Sequence, residues 1–284
     1  MNGFLIIDKE EGLTSRDVDN QLMGIFKTKK IGHLGTLDPL ASGVLVIAIG
    51  SALKVISLIQ EHDKSYLVKV KVGLQTDTLD ISGEVTKTSS KRAKKEEIVK
   101  VLNSFLGENI FPVPKYSAIK VAGKKLYQYA RENLEVELPK KKMELKAYEI
   151  ISFSEDEFEI KLNVSYGTYI RSIIDELGKS LGIAMTMSAL RRLSSGPFKI
   201  DAAVSIEKAK NTKLISLKEV LKDYNIVLAD DSLAKKISHG QILKDNYKKY
   251  PIVFINKEDE VIAIYKQYEK DLNYIKPHKI ISQN

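Results

Sequence analysis

Apolar positions along these 284 residues follow two rhythms. A helical one places Val18, Leu22, Ile25 and Phe26 on one face, with Thr14 or Ser15 ahead of them as N-cap. Ile98, Val101, Leu102 and Phe105, closed by Gly107, predict a second helix. Ile170, Ile173, Ile174, Leu177 and Leu181 predict a third, and Ser51 to Gln60 a short one. The other rhythm is alternation. Tyr66, Val68, Val70 and Val72 are interleaved with Leu67, Lys69 and Lys71, as in a half-buried strand, and Phe158, Ile160, Leu162 and Val164 repeat the pattern. Phe4–Ile7 and Val44–Ile49 are apolar throughout and read as buried strands, with a glycine-rich loop from Ile31 to Gly43 before the second. Turns and helices separate the strands irregularly, which predicts an α+β fold with a mainly antiparallel mixed sheet and flanking helices. Residues 111–146 carry Pro112, Pro114 and Pro139 and read as an inserted excursion. Beyond Asn225 the apolar strands shorten while Lys and Tyr become frequent, which predicts residues 1–224 as one domain and 225–284 as a small, separate β-rich module.

Charge adds a class of partner. Lys and Arg exceed Asp and Glu by 45 − 37 = +8, and the sequence pI is about 9.2. The excess is concentrated: residues 111–146 hold nine Lys/Arg against four Glu, a local net of +5. A basic chain of this kind suits nucleic acid, although lysine-rich faces are also ordinary solvated surface. Cysteine is absent, which removes disulfides, thiolate nucleophiles and thiolate metal ligands. The four histidines, His33, His62, His239 and His278, are too scattered for a metal centre, so neither a metal nor a cofactor is expected. With no leader-like N-terminus and no apolar run long enough to span a bilayer, the expectation is a cytoplasmic protein with no membrane association.

Candidate chemistry gathers at Gly32-His33-Leu34-Gly35-Thr36-Leu37-Asp38-Pro39-Leu40-Ala41-Ser42-Gly43. Glycines permit tight turns, and Pro39 biases Asp38 away from the helical region. A carboxylate is thereby fixed on a constrained loop just before a buried strand, the kind of place where catalytic groups sit. Taken alone, the loop is equally compatible with an Asp-Pro turn in which Asp38 only binds nearby amides. It is neither a phosphate-binding P-loop nor a dinucleotide fingerprint.

This stretch closely resembles the catalytic motif of the TruB-type tRNA pseudouridine synthases, and further motifs follow in the family's order. Ile6-Ile7-Asp8-Lys9 with Gly12-Leu13-Thr14-Ser15 resembles the N-terminal motif, with Glu10 where proline is usual. Lys64-Ser65-Tyr66, Thr76-Asp77-Thr78-Leu79-Asp80 with Gly83, and Pro114-Lys115-Tyr116-Ser117-Ala118-Ile119-Lys120 resemble three more. Gly167-Thr168-Tyr169-Ile170-Arg171-Ser172 resembles the arginine motif, with Tyr166 where a smaller or basic residue is common, and Leu190-Arg191-Arg192 with Ser195-Gly196-Pro197-Phe198 the last one. His239-Gly240-Gln241 and its surroundings resemble, more weakly, the family's PUA-like RNA-binding module.

The resemblance implies a pseudouridine synthase fold and isomerisation of the uridine at position 55 in the tRNA T-loop. It casts Asp38 as the reactive carboxylate, Arg171 as its partner and Tyr66 as the ring that stacks on the target base. His33, Tyr169, Leu190 and Lys9 would contact substrate, while Lys124, Lys125, Lys140, Lys141 and Lys142 would lie near the RNA backbone. Tyr66, Tyr169 and Leu190 are equally readable as core. Asp77 and Asp80, the nearest candidates for a second carboxylate, sit in a turn-like Thr-Asp-Thr and read as structural. A base inside a folded T-loop must be flipped to be reached, a cost of a few kcal/mol that stacking and phosphate contacts offset. The expected enzyme is a monomer with tRNA as partner and no obligate protein partner. Competing readings are a tRNA-folding chaperone acting with or without the chemistry, an N-glycosylase that would release free uracil, and a guide-RNA-dependent relative, which would carry a larger C-terminal module.

Overall fold

The computed structural model describes residues 1–59 and 61–281. Strands β1 (Gly3–Lys9), β2 (Ile31–Leu34), β3 (Ala41–Ile49) and β4 (Lys64–Val72) precede a small hairpin of β5 (Leu74–Thr76) and β6 (Val85–Thr88). After β7 (Gly107–Pro112) comes a second small hairpin, β8 (Lys120–Val121) and β9 (Lys124–Lys125), then β10 (Lys140–Phe153), β11 (Glu157–Val164), β12 (Met185–Ser195) and β13 (Phe198–Lys199). The C-terminal strands are β14 (Asn225–Leu228), β15 (Leu243–Lys244), β16 (Ile252–Ile255), β17 (Val261–Gln267) and β18 (Tyr274–Ile280). The helices are α1 (Ser15–Phe26), α2 (Ile56–Ile59), α3 (Lys95–Ser104), α4 (Leu126–Arg131), α5 (Ile170–Leu181), α6 (Leu217–Val220) and α7 (Asp231–Ser238). None of the described helices is long and apolar enough to cross a membrane.

The main sheet has nine strands in the order β1-β3-β12-β4-β11-β10-β7, with β2 joined to β3 and β13 to β12. Its pairs are antiparallel except β3 with β12, so the sheet is mixed but mainly antiparallel, as the patterning predicts. Sequence determines the helix ends plainly. Thr14, not Ser15, caps α1 in a reciprocal box with Asp17, and Lys27 ends it in the left-handed region at φ 51°. Gly182, at φ 65°, ends α5 in the same way. Phe105 closes α3, while Gly107 opens β7 instead of capping the helix.

Three expectations change. The glycine-rich stretch is mostly sheet: Ile31–Leu34 pair with β3, which itself begins at Ala41, leaving a loop of only 35–40. Gly32 and half-buried His33 hide a strand from a reading based on side chains. The predicted helix at 51–60 is a 3₁₀ turn (Gly50–Val55) running into α2, and Gln60 lies outside the described residues. The excursion is also shorter than 111–146. Lys140 to Glu144 pair with Pro112 to Glu108 inside the main sheet, so the chain leaves it only over 113–139.

Core formation explains why β3 is apolar throughout. Leu45, Ile47 and Ile49 face the cluster formed with α1, α5 and the other large strands. Val44, Val46 and Ala48 face the opposite way, into a second cluster that also contains Val253, Ile255, Val261 and Ile264 from the C-terminal sheet. The C-terminal strands, in the order β14-β16-β17-β18-β15, therefore form their own sheet but share a core with the back of the main one. That differs from the separate module expected from composition, which carries no information on packing between sheets.

Candidate active site

Residues 35–40 form a loop held at every side. Arg192, 1% exposed at the centre of the sheet, donates from Nη2 to the Gly35 carbonyl at 2.9 Å and from Nε to that of Val44 at 2.6 Å. The Ser15 hydroxyl accepts the Leu37 amide at 2.9 Å, and the Gly12 amide donates to the Pro39 carbonyl at 2.8 Å. The Asp38 carbonyl accepts the Ala41 amide at 3.0 Å, a tight turn into β3. A loop restrained this way presents the Asp38 carboxylate in one place before any ligand arrives.

Arg171, near the start of α5 and only 6% exposed in its side chain, reaches that carboxylate at 2.9 Å from Nη2. The same guanidinium donates from Nη1 to the Thr78 carbonyl and from Nη2 to the Tyr116 carbonyl, each at 3.1 Å. Asp80 stands 4.0 Å from Nη1. Three separate chain segments thus meet at one planar cation carried by α5, which suits the fixed fork of arginine and not a lysine. Asp77 and Asp80 do hold turns. Asp80 accepts from Thr78 Oγ1 and the Ser82 amide, and Asp77 from the Glu84 amide and the Tyr116 hydroxyl. Asp80 additionally contributes charge beside Arg171, which its turn-like sequence conceals.

A cavity of about 440 Å³ opens beside this pair, of a size that suits a small ligand. Asp38, Tyr66, Tyr169, Leu190 and Arg171 all line it, together with Lys64, Lys141, Tyr116, Tyr166 and Arg192. Alternation explains the assembly. Lys64 and Tyr66 share a face of β4, Leu190 and Arg192 share a face of β12, and Arg192 lies directly opposite Tyr66 across the pairing. Burial pushes the Tyr169 hydroxyl above its usual range. Burial, reinforced by Arg192, pulls Lys64 down to about 8. Lys64, Arg192, Tyr116 and Tyr166 are cavity residues without an assigned role in the sequence reading. For Lys64 and Arg192 a signal exists in their two-residue spacing from Tyr66 and Leu190.

The remaining expected residues lie elsewhere. Lys9 is fully buried, and its ammonium donates to the carbonyls of Glu10 at 2.8 Å, Leu13 at 2.7 Å and Pro39 at 3.4 Å. It braces the loop from behind and has no N–H left for a substrate, contrary to the expectation of a substrate contact. Burial lowers its pKa, with Asp38 and Glu11 opposing the shift. His33 sits on β2, half-buried and outside the cavity lining, with Nδ1 2.9 Å from the Asp19 carboxylate and Nε2 turned toward Thr36. Lys124 pairs with Glu132, Lys142 with Glu108, and Lys125 lies over the Tyr127 ring at 5.6 Å. Lys140 is exposed, and Lys141 alone of the five backbone candidates reaches the cavity. No group of His, Cys, Asp and Glu able to hold a metal occurs among the described residues.

Known proteins resemble this chain in sequence and in fold. The family described as TruB family pseudouridylate synthase (N terminal domain) matches residues 24–170. A tRNA pseudouridine synthase B of Staphylococcus saprophyticus is 39% identical over 303 aligned positions, covering 99% of each chain. That of Caldicellulosiruptor saccharolyticus is 41% identical over 86% of this chain and 84% of its own. Among solved structures, an H/ACA RNP bound to a substrate RNA containing 2′-deoxyuridine aligns with a TM-score of 0.72 at 21% identity, over 99% of this chain and 85% of that one. A Cbf5-Nop10-Gar1 complex aligns equally well, at 22% identity. At such identities the two structures establish a shared fold.

Proposed function

Because the chain belongs to the TruB family of pseudouridylate synthases, we propose that it acts on the uridine at position 55 in the T-loop of tRNA, with Asp38 as its reactive carboxylate. The enzyme is an isomerase that converts uridine to pseudouridine in tRNA. The observation that carries the finer reading is the 2.9 Å pairing of nearly buried Arg171 with Asp38, on the wall of a cavity that Tyr66 and Leu190 also line. Isomerisation breaks the C1′–N1 bond, turns the uracil and joins C1′ to C5. It needs neither a redox step nor an energy source, and a carboxylate that can engage the sugar and depart again suits it.

In this reading the target uridine is flipped into the cavity, its base lies on the Tyr66 ring, and Leu190 and Tyr169 close the sides. Arg171 aims the carboxylate. Lys124, Lys125, Lys140 and Lys142, outside the cavity lining, meet phosphates of the T-arm, with Lys141 at the junction of the two surfaces. His33 meets unstacked loop nucleotides from β2. Residues 1–224 form the catalytic part and 225–284 a PUA-like RNA-binding module. Because so much basic surface lies away from the chemistry, the same contacts support a tRNA-folding role independent of Asp38. The enzyme works as a monomer in the cytoplasm without an obligate protein partner or cofactor. Mass mapping of a treated tRNA transcript tests the reading: a single pseudouridine in the T-loop is expected. Release of free uracil would make the protein a glycosylase, and modification confined to another arm would overturn the assignment of position.

A further inference from the structure

Two buried cations line the cavity with no carboxylate of their own. Arg192 is 1% and Lys64 8% exposed, and both line the space beside Tyr66. The acidic groups near them are engaged elsewhere: Asp38 with Arg171, and Asp63 with Lys146 at 2.7 Å. A buried cation without a partner is costly, and proteins retain one where an anion is to be met. Arg192 is occupied mainly with the backbone, through Gly35 and Val44. Lys64 is less committed. Its ammonium donates to the His62 carbonyl at 2.9 Å and lies 4.7 Å from the centre of the Tyr166 ring, which steers the head group without using all three donors.

We propose that Lys64 is a catalytic residue, whose ammonium neutralises the negative charge that develops on the uracil oxygens as the C1′–N1 bond breaks. This rests on the isomerase reading above, with Tyr66 as the base platform. The electron pair of the broken bond leaves with N1 and spreads over O2 and O4. The sugar is satisfied by a C1′–O bond to Asp38 or by loss of its C2′ proton to that carboxylate. In the return step C5 bonds C1′, Asp38 departs with its pair or gives the proton back, the C5 proton is lost to water and N1 takes one from water. Lys64 keeps its proton throughout. Burial separates this role from phosphate binding: a solvated diester suits the half-exposed Lys141, whereas Lys64 and Arg192 are buried beside Tyr66.

The ammonium must be charged to act. Facing it are Arg192 from β12, Tyr66 from β4, Tyr166 from the turn after β11, Lys141 from β10, Asp38 from the loop, and the adjacent His62 and Asp63. Burial and Arg192 hold Lys64 at about 8, so the charged form is lost as pH rises through that value. An arginine at this position would stay charged.

The test is single-turnover isomerisation at saturating tRNA for the wild type, Lys64→Met and Lys64→Arg, with RNA affinity measured in parallel. Lys64→Met should slow turnover by about 100-fold, the usual loss for one preorganised electrostatic donor, with affinity nearly unchanged. The wild-type rate should fall above about pH 8, and Lys64→Arg should retain activity and lose that decline. A Lys64→Met protein as fast as wild type overturns the proposal, and so does one that loses RNA affinity but not rate, which would make Lys64 a phosphate ligand. An unchanged high-pH limb in Lys64→Arg, the variant least disruptive to folding, also overturns it. Absence of pseudouridine from wild-type reactions would instead overturn the underlying isomerase reading.

Discussion

Replacing Arg171 with methionine would withdraw a nearly buried guanidinium from Asp38, Asp80 and the Thr78 and Tyr116 carbonyls together. The ion pair with Asp38 contributes least to stability, because that side chain is 37% exposed and water screens it. The two carbonyls and the almost buried Asp80 matter more. Removing one partner of a buried, hydrogen-bonded charge costs about 3–5 kcal/mol in all. For a chain of this size that is a fall in Tm of roughly 10 °C. Arg171→Lys keeps the charge but can satisfy only part of the fork, so its cost should be about 2 kcal/mol. Catalysis should suffer more than folding in the lysine variant, because a misaimed carboxylate loses about 100-fold in rate for a displacement near 1 Å. The assays are thermal unfolding, RNA binding, and tritium release from tRNA labelled at uridine C5 under single turnover. Wild-type turnover in Arg171→Lys, or an unchanged Tm in Arg171→Met, would refute the view that this guanidinium organises the site.

Four other perturbations test different parts of the argument. Asp38→Asn keeps the shape and the turn, so it should bind tRNA normally, fold it if the chaperone role holds, and form no detectable pseudouridine. Joint loss of binding would make Asp38 structural. Changing Lys140, Lys141 and Lys142 to Ala should weaken tRNA binding and lower its salt slope by about two, each lost phosphate contact contributing roughly 0.7–0.9, with Lys142 already paired to Glu108; an unchanged slope would place these lysines in solvent only. Lys64 binds its proton less tightly when folded, near 8 against an ordinary 10.5, so the unfolded chain holds more protons between those values. Wild-type stability should therefore rise relative to Lys64→Met from about pH 8 to 10 in denaturant melts, and parallel curves would contradict the burial of this amine. Exhaustive chelation should leave activity intact on a minimal hairpin that folds without magnesium; a requirement for added metal there would contradict the metal-free chemistry.

How much of this was legible in sequence varied with the physics behind each feature. Alternation at Tyr66–Val72 and Phe158–Val164 and helical spacing at Ile170–Leu181 were readable because burial of one face imposes a period. The strand at Ile31–Leu34 was not, since Gly32 and half-buried His33 break the alternation. The resemblance led to Asp38, Arg171, Tyr66, Tyr169 and Leu190, and the fold brings them to one cavity. It misled at Lys9, where a polar side chain near the motif is used up by three carbonyls, a matter of tertiary contact and not of residue type. Lys64 and Arg192 were quoted for their motifs and passed over for chemistry, because their lack of acidic partners appears only when the strands are paired. The length of the excursion was overestimated for a related reason: a stretch bounded by Pro112 and Pro139 resembles a loop until the pairing of β10 with β7 is known.

The two-sided burial of β3 bears on how this enzyme could be shortened or recombined. The strand that carries the chain away from Asp38 rests on the C-terminal sheet through Val44, Val46 and Ala48, against Val253, Ile255, Val261 and Ile264. Gly43, at the head of the same strand, has no room for a Cβ, which would fall on the Arg192 carbonyl. An element added only to grip RNA could be lost or exchanged at the cost of affinity alone. Here the appendage is also the back wall of β3, so its removal would bare an apolar face on the strand that follows the Asp38 loop. Chimeras that swap the C-terminal part would have to transplant its inward-facing side chains along with its exposed ones.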